Sequence, residues 1–267
     1  MMTHAQIMQA ARSLLDAEST GVQRGLLSLE YPGMTLDNAY AVQAAVVALK
    51  RAVGLRGIGW KIGLTSRAMQ QALNITIPDS GVLLEDMAFA DGAVVPAGRF
   101  IQPRVEAEIA FVMAADLSGA DVTQQQVIAA TAHAAPGLEV LDTRIVRADR
   151  ATGRARIITD TVSDNAANAG VVPGRQRHKV QACDLRWVGA IVTRDGLVEE
   201  TGLDAGVLND PVMGIVWLVQ RLAACGMGLS AGDIVLSGSF IRPVEAPPGS
   251  RFHADFGTFG QVDITFG

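Results

Sequence analysis

Residues 103–112 read Pro103-Arg104-Val105-Glu106-Ala107-Glu108-Ile109-Ala110-Phe111-Val112, and the stretch predicts a β-strand from Val105 to Met113. Side chains alternate along a strand, so Glu106 and Glu108 project from one side, roughly 7 Å apart. Val105, Ala107, Ile109 and Phe111 take the opposite face. Two aligned carboxylates on an otherwise apolar strand repel each other and resist burial unless neutralised. A divalent cation supplies that neutralisation, and hard oxygen ligands suit magnesium, calcium or manganese. A third ligand is expected from a neighbouring strand. Glu139 is the candidate, a lone carboxylate in the apolar run Gly137-Leu138-Glu139-Val140-Leu141. The other reading is a solvated sheet face, and the pattern alone leaves both open.

Working outward, residues 1–55 read as helical. Ile7, Ala10, Ala11, Leu14 and Leu15 recur at helical spacing, and Thr35 caps a second helix from Leu36 to about Val53 with Ala39, Val42, Val46 and Leu49 on one face. From residue 56 the texture changes to short apolar runs between turns. Strands are expected at Ile58–Leu64, Leu138–Leu141, Trp187–Thr193, Leu197–Glu200, Ile234–Leu236, Arg251–Asp255 and Gln261–Phe266. Arg194-Asp195-Gly196 signals a hairpin. A short helix is expected over Ser66–Leu73 and a loop over Asn74–Asp79. Thr123 to Gln126 reads as a capping box, with Val122 and Val127 as a hydrophobic staple, opening a helix to about His133 before Pro136-Gly137 ends the segment. Arg144–Arg156 reads as a charged, mostly exposed connection, and Asn209–Cys225 as the main helix of the second half. Helices first and a strand-rich body afterwards argue against alternating βαβ units. They predict an α+β fold with a curled sheet or roll, divided as 1–55 and 56–267.

Composition sets the bounds. The 267 residues are 49% hydrophobic and 18% charged, enough for a large core. Net charge is −5 with no basic run, which argues against a nucleic-acid partner. No segment reaches the ~18 consecutive apolar residues of a membrane span, and the N-terminus has no signal-peptide pattern. A cytoplasmic protein is expected. Cys183 and Cys225, 42 positions apart, are expected to be buried free thiols rather than a disulfide or a zinc site.

Lys61 is one of three lysines in a chain whose other basic residues are arginines, and it sits in the apolar strand Ile58-Gly59-Trp60-Lys61-Ile62-Gly63-Leu64. A buried ammonium meets an anion or loses its proton, which would let it act as a base; the alternative is snorkelling to the surface. Gly54, Gly57, Gly59 and Gly63 do not form the dinucleotide fingerprint, and the phosphate-loop, zinc-protease and nucleophile-elbow motifs are absent from the sequence. Asn74-Ile75-Thr76 matches a glycosylation sequon that has meaning only in a secreted protein. Ser163-Asp164-Asn165-Ala166-Ala167-Asn168 suits a turn or ligand hydrogen bonding, with Asn165 the ligand candidate. Ser237-Gly238-Ser239 offers backbone N–H groups to a carboxylate, and Ser239 is taken as a substrate contact. Arg104, Arg144 and Arg242 are candidates for gripping an anion. His253 reads as packed or hydrogen-bonded, and His133 as a helix-terminal residue.

Taken together, Gly59 to Ser66, Pro103 to Glu108, Leu138-Glu139 with Asp142 and Arg144, Asp160 to Gly170, Asp184 to Gly189 and Gly238 to Val244 resemble the hydratase/decarboxylase branch of the fumarylacetoacetate hydrolase superfamily, in order along nearly the whole chain. The resemblance implies a mixed β-sandwich roll with an N-terminal helical region. It implies Mg²⁺, or Mn²⁺, held by Glu106, Glu108 and Glu139, with Lys61 and Asp79 as the proton-transfer pair. The activity it implies is a hydro-lyase of aromatic meta-cleavage (homoprotocatechuate) catabolism. Water adds to 2-hydroxyhepta-2,4-diene-1,7-dioate to give 4-hydroxy-2-oxoheptane-1,7-dioate, with Arg242 expected at the distal carboxylate. Hydration of 2-hydroxypenta-2,4-dienoate and decarboxylation of 4-oxalocrotonate are the related alternatives, and a non-catalytic partner subunit is the alternative of another class. A homo-oligomer, pentamer or decamer, is also implied. Trp60, Ser80 and Asp210 stand where the family pattern has His, Tyr and His, and they bear on pocket shape.

Overall fold

In the computed structural model, which describes residues 2–72 and 75–267, three helices open the chain: α1 (His4–Thr20), α2 (Leu27–Glu30) and α3 (Leu36–Ala52). Strand β1 (Gly57–Gly63), helix α4 (Arg67–Ala72) and strands β2 (Asp79–Leu84), β3 (Ala93–Val95) and β4 (Arg104–Met113) follow. Next come α5 (Gln124–Ala130), β5 (Thr131–Leu141), α6 (Ile158–Ser163), β6 (Asn168–Pro173) and the hairpin of β7 (Gly189–Arg194) with β8 (Leu197–Leu203). Helix α7 (Pro211–Ala223) precedes β9 (Ile234–Leu236), β10 (Val244–Glu245), β11 (Arg251–Asp255) and β12 (Gln261–Phe266).

The helix starts obey their sequence signals. Thr3, Thr35 and Thr123 each accept from the backbone three residues on, and Gln6, Asn38 and Gln126 return the bond. Helix α1 ends at Gly21, whose φ of 69° is a left-handed position open to glycine at no steric cost. The buried faces of α1 and α3 meet in a cluster of Ala10, Ala11, Leu14, Val42 and Val46, closed by Leu26, Leu27 and Ile145.

The strands form two mixed sheets. The larger runs β2-β1-β9-β4-β5-β6, with β10 paired to the start of β4; the smaller runs β3-β12-β11-β7-β8. Every pair is antiparallel except β1 with β9 and β12 with β3. Phe111, Leu138 and Val140 of the first sheet share one core with Phe252, Val262 and Ile264 of the second, and α7 adds Ile215 and Leu218. This is the α+β roll with an N-terminal helical region. Among the described residues, no helix is long and apolar enough to cross a membrane.

Several local expectations are overturned. Helix α5 stops at Ala130, so His133 lies in β5, where pairing with Val112 of β4 outweighs the helical pattern. Pro136 and Gly137, expected to end a segment, sit inside β5 opposite Ile109 and Glu108. Asp79, expected in a loop, begins the fully buried strand β2. Cys183 and Cys225 are exposed, because one follows a 3₁₀ turn and the other the end of α7, outside both sheets. Leu73 and the sequon residue Asn74 lie outside the described residues.

The charged connection after β5 starts in the interior, not at the surface. Arg144 is 6% exposed; its Nε donates to Asp164 Oδ1 at 2.5 Å and its Nη2 to the Asp164 carbonyl at 2.7 Å. Ser28 N and Oγ both donate to the Asp160 carboxylate at 2.8 Å, and Gln43 Nε2 donates to Ser80 O and Val162 O at 2.8 and 3.0 Å. These bonds tie the helical region to β2 and α6. Arg144→Met strands the Asp164 carboxylate in the interior and is expected to cost about 3–5 kcal/mol. Arg144→Met with Asp164→Leu is expected to cost clearly less, both read from urea unfolding midpoints.

Candidate metal centre

The antiparallel register of β4 and β5 sets Glu106 directly opposite Glu139, and the two-residue period puts Glu108 on the same face. Carboxylate oxygens of all three lie within 4.8 Å of one another. Opposite Glu108 stands Gly137, with no side chain to crowd this face. Strand β9 ends at Leu236, the register partner of Lys61, and beyond it Gly238 N donates to Glu108 Oε2 at 2.8 Å. The backbone donor expected from Ser237-Gly238-Ser239 therefore serves a carboxylate of the protein itself. From β1, Lys61 Nζ reaches to 3.3 Å from Glu139 Oε1. Asp79, opposite Gly63 on β2, completes the group. A Cβ on Gly63 would overlap Asp79 Oδ1 and stand 3.0 Å from Lys61 Nζ, so a side chain here would push these two charged groups out of place.

Four carboxyls thus surround one ammonium in a buried setting. Burial is the largest force raising Glu106, to about 8, with the charge of Glu139 next. Glu108 is pushed well above the usual carboxylate range by burial, then by Glu139 and Glu106. Burial raises Glu139 and Asp79 as well, against the pull of Lys61. Burial would lower Lys61, but Glu139, Asp79, Glu106 and Glu108 together hold it above its ordinary value. Of the readings the sequence left open for Lys61, the surrounding carboxyls favour the ammonium paired with an anion. Glu108 Oε1 and both carboxylate oxygens of Glu139 are buried without a hydrogen-bond partner. Unpartnered oxygens converging from three hard, anionic donors fit a divalent cation.

A cavity of about 950 Å³ opens from this centre, lined by Lys61, Asp79, Arg104, Glu106, Ser239 and Arg242 among others. Six of the ten candidate site residues singled out in the sequence thus share one space, while Arg144 is held inside by Asp164. Glu108 and Glu139 lie behind it at the cluster, and Asn165 has a different task. Its Oδ1 accepts from Val82 N at 2.8 Å and its Nδ2 donates to Val82 O at 2.9 Å. Those bonds consume the amide expected to meet substrate. They pin a turn in which Asn165, Ala166 and Ala167 all have positive φ, a strained conformation that brings Ala166 and Ala167 to the cavity wall. Arg242 reaches the cavity mostly exposed and paired with Glu200 at 2.5 Å. Arg147 and Arg156 also line it, unnoticed in the sequence because charged loop residues usually face water. Trp60, Ser80 and Asp210 do not line it. Asp210 instead caps α7 by accepting from Val212 N at 2.9 Å, ahead of Pro211.

A strand-borne carboxylate cluster under an arginine-lined cavity is the donor set of an enzyme site for a divalent cation and a small anionic molecule. The chain belongs to the fumarylacetoacetate hydrolase C-terminal family, whose model matches residues 60–266. It is 47% identical over 264 residues to the 2-oxo-hept-4-ene-1,7-dioate hydratase of Escherichia coli, covering 99% of this chain and 98% of that one. It is 36% identical to the 2-keto-4-pentenoate hydratase of Paraburkholderia xenovorans, covering 99% and 96%. Among solved structures, the 4-oxalocrotonate decarboxylase of Pseudomonas putida G7, complexed with magnesium and adipate, superposes with a TM-score of 0.93 at 30% identity over 100% of this chain and 99% of that one.

The raised carboxyls give the metal-free protein a defined pH dependence. A carboxyl that titrates higher folded than unfolded keeps a proton the unfolded chain has released, so its contribution to stability is full below the ordinary value of 4.5 and falls as pH rises through about 8. Chelator-treated protein is expected to lose melting temperature between about pH 5 and pH 8. Millimolar Mg²⁺ is expected to restore it most at the alkaline end, as read by differential scanning fluorimetry.

Proposed function

We propose that this protein is a divalent-metal-dependent hydratase that adds water to 2-hydroxyhepta-2,4-diene-1,7-dioate (2-oxohept-4-ene-1,7-dioate), giving 4-hydroxy-2-oxoheptane-1,7-dioate in the catabolism of aromatic compounds. The observation that carries it is the trio Glu106, Glu108 and Glu139, with buried unpartnered oxygens, beside Lys61 at the base of an open cavity. Identity of 47% along nearly the whole chain supports the substrate class.

In this reading Glu106, Glu108 and Glu139 hold Mg²⁺, with Mn²⁺ as the alternative. When bound, the ion supplies Lewis-acid stabilisation of negative charge that develops on the 2-oxo oxygen. Lys61 keeps its ammonium beside that charge and limits the repulsion between carboxylates and an anionic substrate. Asp79, buried next to Gly63, with Oδ1 unpartnered and its pKa raised, is placed to take and return a proton on the substrate chain. Ser239 and Arg104 line the wall over Glu106 and orient the substrate carboxylate there. The chemistry belongs to residues 56–267, with residues 1–55 as a helical cover, supported by the family match and by every site residue falling in the later part. A cytoplasmic homo-oligomer, pentamer or decamer, completes the proposal. Exposed Ile191, Leu197, Val198 and Leu203 on the β7–β8 hairpin, with Trp187 just before it, support self-association.

Decarboxylation of 4-oxalocrotonate is the second reading, favoured by the structural likeness to the Pseudomonas putida enzyme. The deciding assay follows loss of the dienoate ultraviolet band with Mg²⁺ for the five- and seven-carbon 2-hydroxydienoates and for 4-oxalocrotonate, with product identification. Fastest turnover of the seven-carbon acid without carbon dioxide is expected. Preferred 4-oxalocrotonate turnover with carbon dioxide release would move the function to decarboxylation. Lys61→Ala is expected to lower kcat/KM by about 10²–10⁴-fold; activity within about twofold of wild type would discard its role. Glu106→Ala with Glu108→Ala is expected to abolish Mg²⁺ binding in a calorimetric titration.

A further inference from the structure

Four guanidinium groups line the cavity: Arg104, Arg147, Arg156 and Arg242. Two already hold carboxylates, Arg242 with Glu200 at 2.5 Å and Arg104 with Glu245 at 3.7 Å. Among the described residues, Arg147 and Arg156 form no such pair. The acids that attract Arg156 have other duties, since Asp160 accepts from Ser28 and Asp164 holds Arg144.

The backbone puts these two arginines side by side. Between β5 and α6 the chain folds back on itself: Arg156 N donates to Arg147 O at 2.8 Å, Ala148 bridges to Ala155, and Asp149 N donates to Arg154 O at 2.9 Å. Arg147 and Arg156 are therefore opposite residues at the neck of a small hairpin, and Arg156 Nη1 also donates to Ile145 O at 3.3 Å. Burial and the charge of Arg147 draw the Arg156 pKa down against the pull of Asp164, the signature of a crowded cation. Like charges placed directly opposite destabilise a strand pair. A carboxylate between them removes that cost, and the planar guanidinium fork matches carboxylate geometry.

We propose that Arg147 and Arg156 form the subsite for the distal carboxylate of a dicarboxylic substrate, and that they select dicarboxylates over acids with a single carboxylate. The proposal rests on the hydratase reading, in which the 2-oxo acid end of the same molecule sits at Glu106, Glu108 and Glu139. Arg242, tied to Glu200 and turned to solvent, then borders the opening without holding the second carboxylate.

The test compares wild type, Arg147→Met with Arg156→Met, the corresponding double Lys variant, and Arg242→Met. Each is assayed with the seven-carbon 2-hydroxydienedioate and the five-carbon 2-hydroxydienoate, and each is titrated calorimetrically with adipate and with hexanoate in the presence of Mg²⁺. The double Met variant is expected to lower the seven-to-five-carbon ratio of kcat/KM by about tenfold to a hundredfold, mainly through KM, with the Lys variant recovering part of it. Its preference for adipate over hexanoate is expected to fall in step. A parallel loss on both substrates, or a ratio that moves with Arg242→Met and not with the arginine pair, would overturn the assignment. Wild-type protein that turns over neither dienoate would defeat the hydratase reading, while the adipate and hexanoate titrations still decide the subsite.

Discussion

Glu106 and Glu139 face each other across an antiparallel pair while sharing one ammonium with Glu108 and Asp79, and much of the molecule is arranged to make that crowding tolerable. The charges converge because register and pleat force them onto one face. Lys61 reaches them where β9 ends, and Gly238 offers a backbone donor just beyond that end. Gly63 and Gly137 leave the space that side chains would fill. The compensation is incomplete, since Glu108 Oε1 and Glu139 Oε2 remain buried without a hydrogen bond, and Glu139 Oε1 has only the ion pair with Lys61. Buried anionic oxygens that converge in this way favour a cation, because its charge offsets both their mutual repulsion and the cost of their burial.

The helical region contributes to this site without touching it. Gln43 of α3 bonds the backbone of β2 at Ser80 and of α6 at Val162, while the amide of Asn165 clamps Val82. These bonds fix β2, and hence Asp79, against β1. They also hold the left-handed turn of residues 165–167 in a shape it would not keep alone. Arg144 and Asp164 anchor the base of the segment that carries Arg147 and Arg156. Arg144, held by this ion pair, also accepts from Arg24 N at 2.9 Å, which joins the start of that segment to the helical region.

The cavity wall carries both signs of charge, with Lys61, Asp79 and Glu106 beside the carboxylate cluster and Arg104, Arg147, Arg156 and Arg242 elsewhere in the lining. A 2-oxo dicarboxylate carries groups complementary to both a bound cation and these guanidiniums. The family likeness and this charge pattern converge on the same class of substrate from independent directions, one from sequence identity and one from electrostatics.

Much of this was legible in the sequence. The alternation of residues 105–113, the apolar setting of Glu139 and the apolar strand around Lys61 singled out residues that the fold gathers into one carboxylate cluster, because strand period and the cost of buried charge are local properties. The Thr123 capping box and the Thr35 cap located the starts of α5 and α3 for the same reason. Other features depend on partners distant in the chain. Strand pairing with β4 ended α5 early and drew His133, Pro136 and Gly137 into β5, a choice that propensity does not contain. The Asn165 amide was spent on a backbone 83 residues away, and Arg144 was taken inside by Asp164. Arg147 and Arg156 became a pair only when the chain folded back and turned that hairpin toward the cavity. By itself the sequence determined which residues are chemically costly to bury. Only the tertiary structure decided which of those costs are met within the protein and which are left for a cation and a substrate, because that depends on distances between segments the chain brings together last.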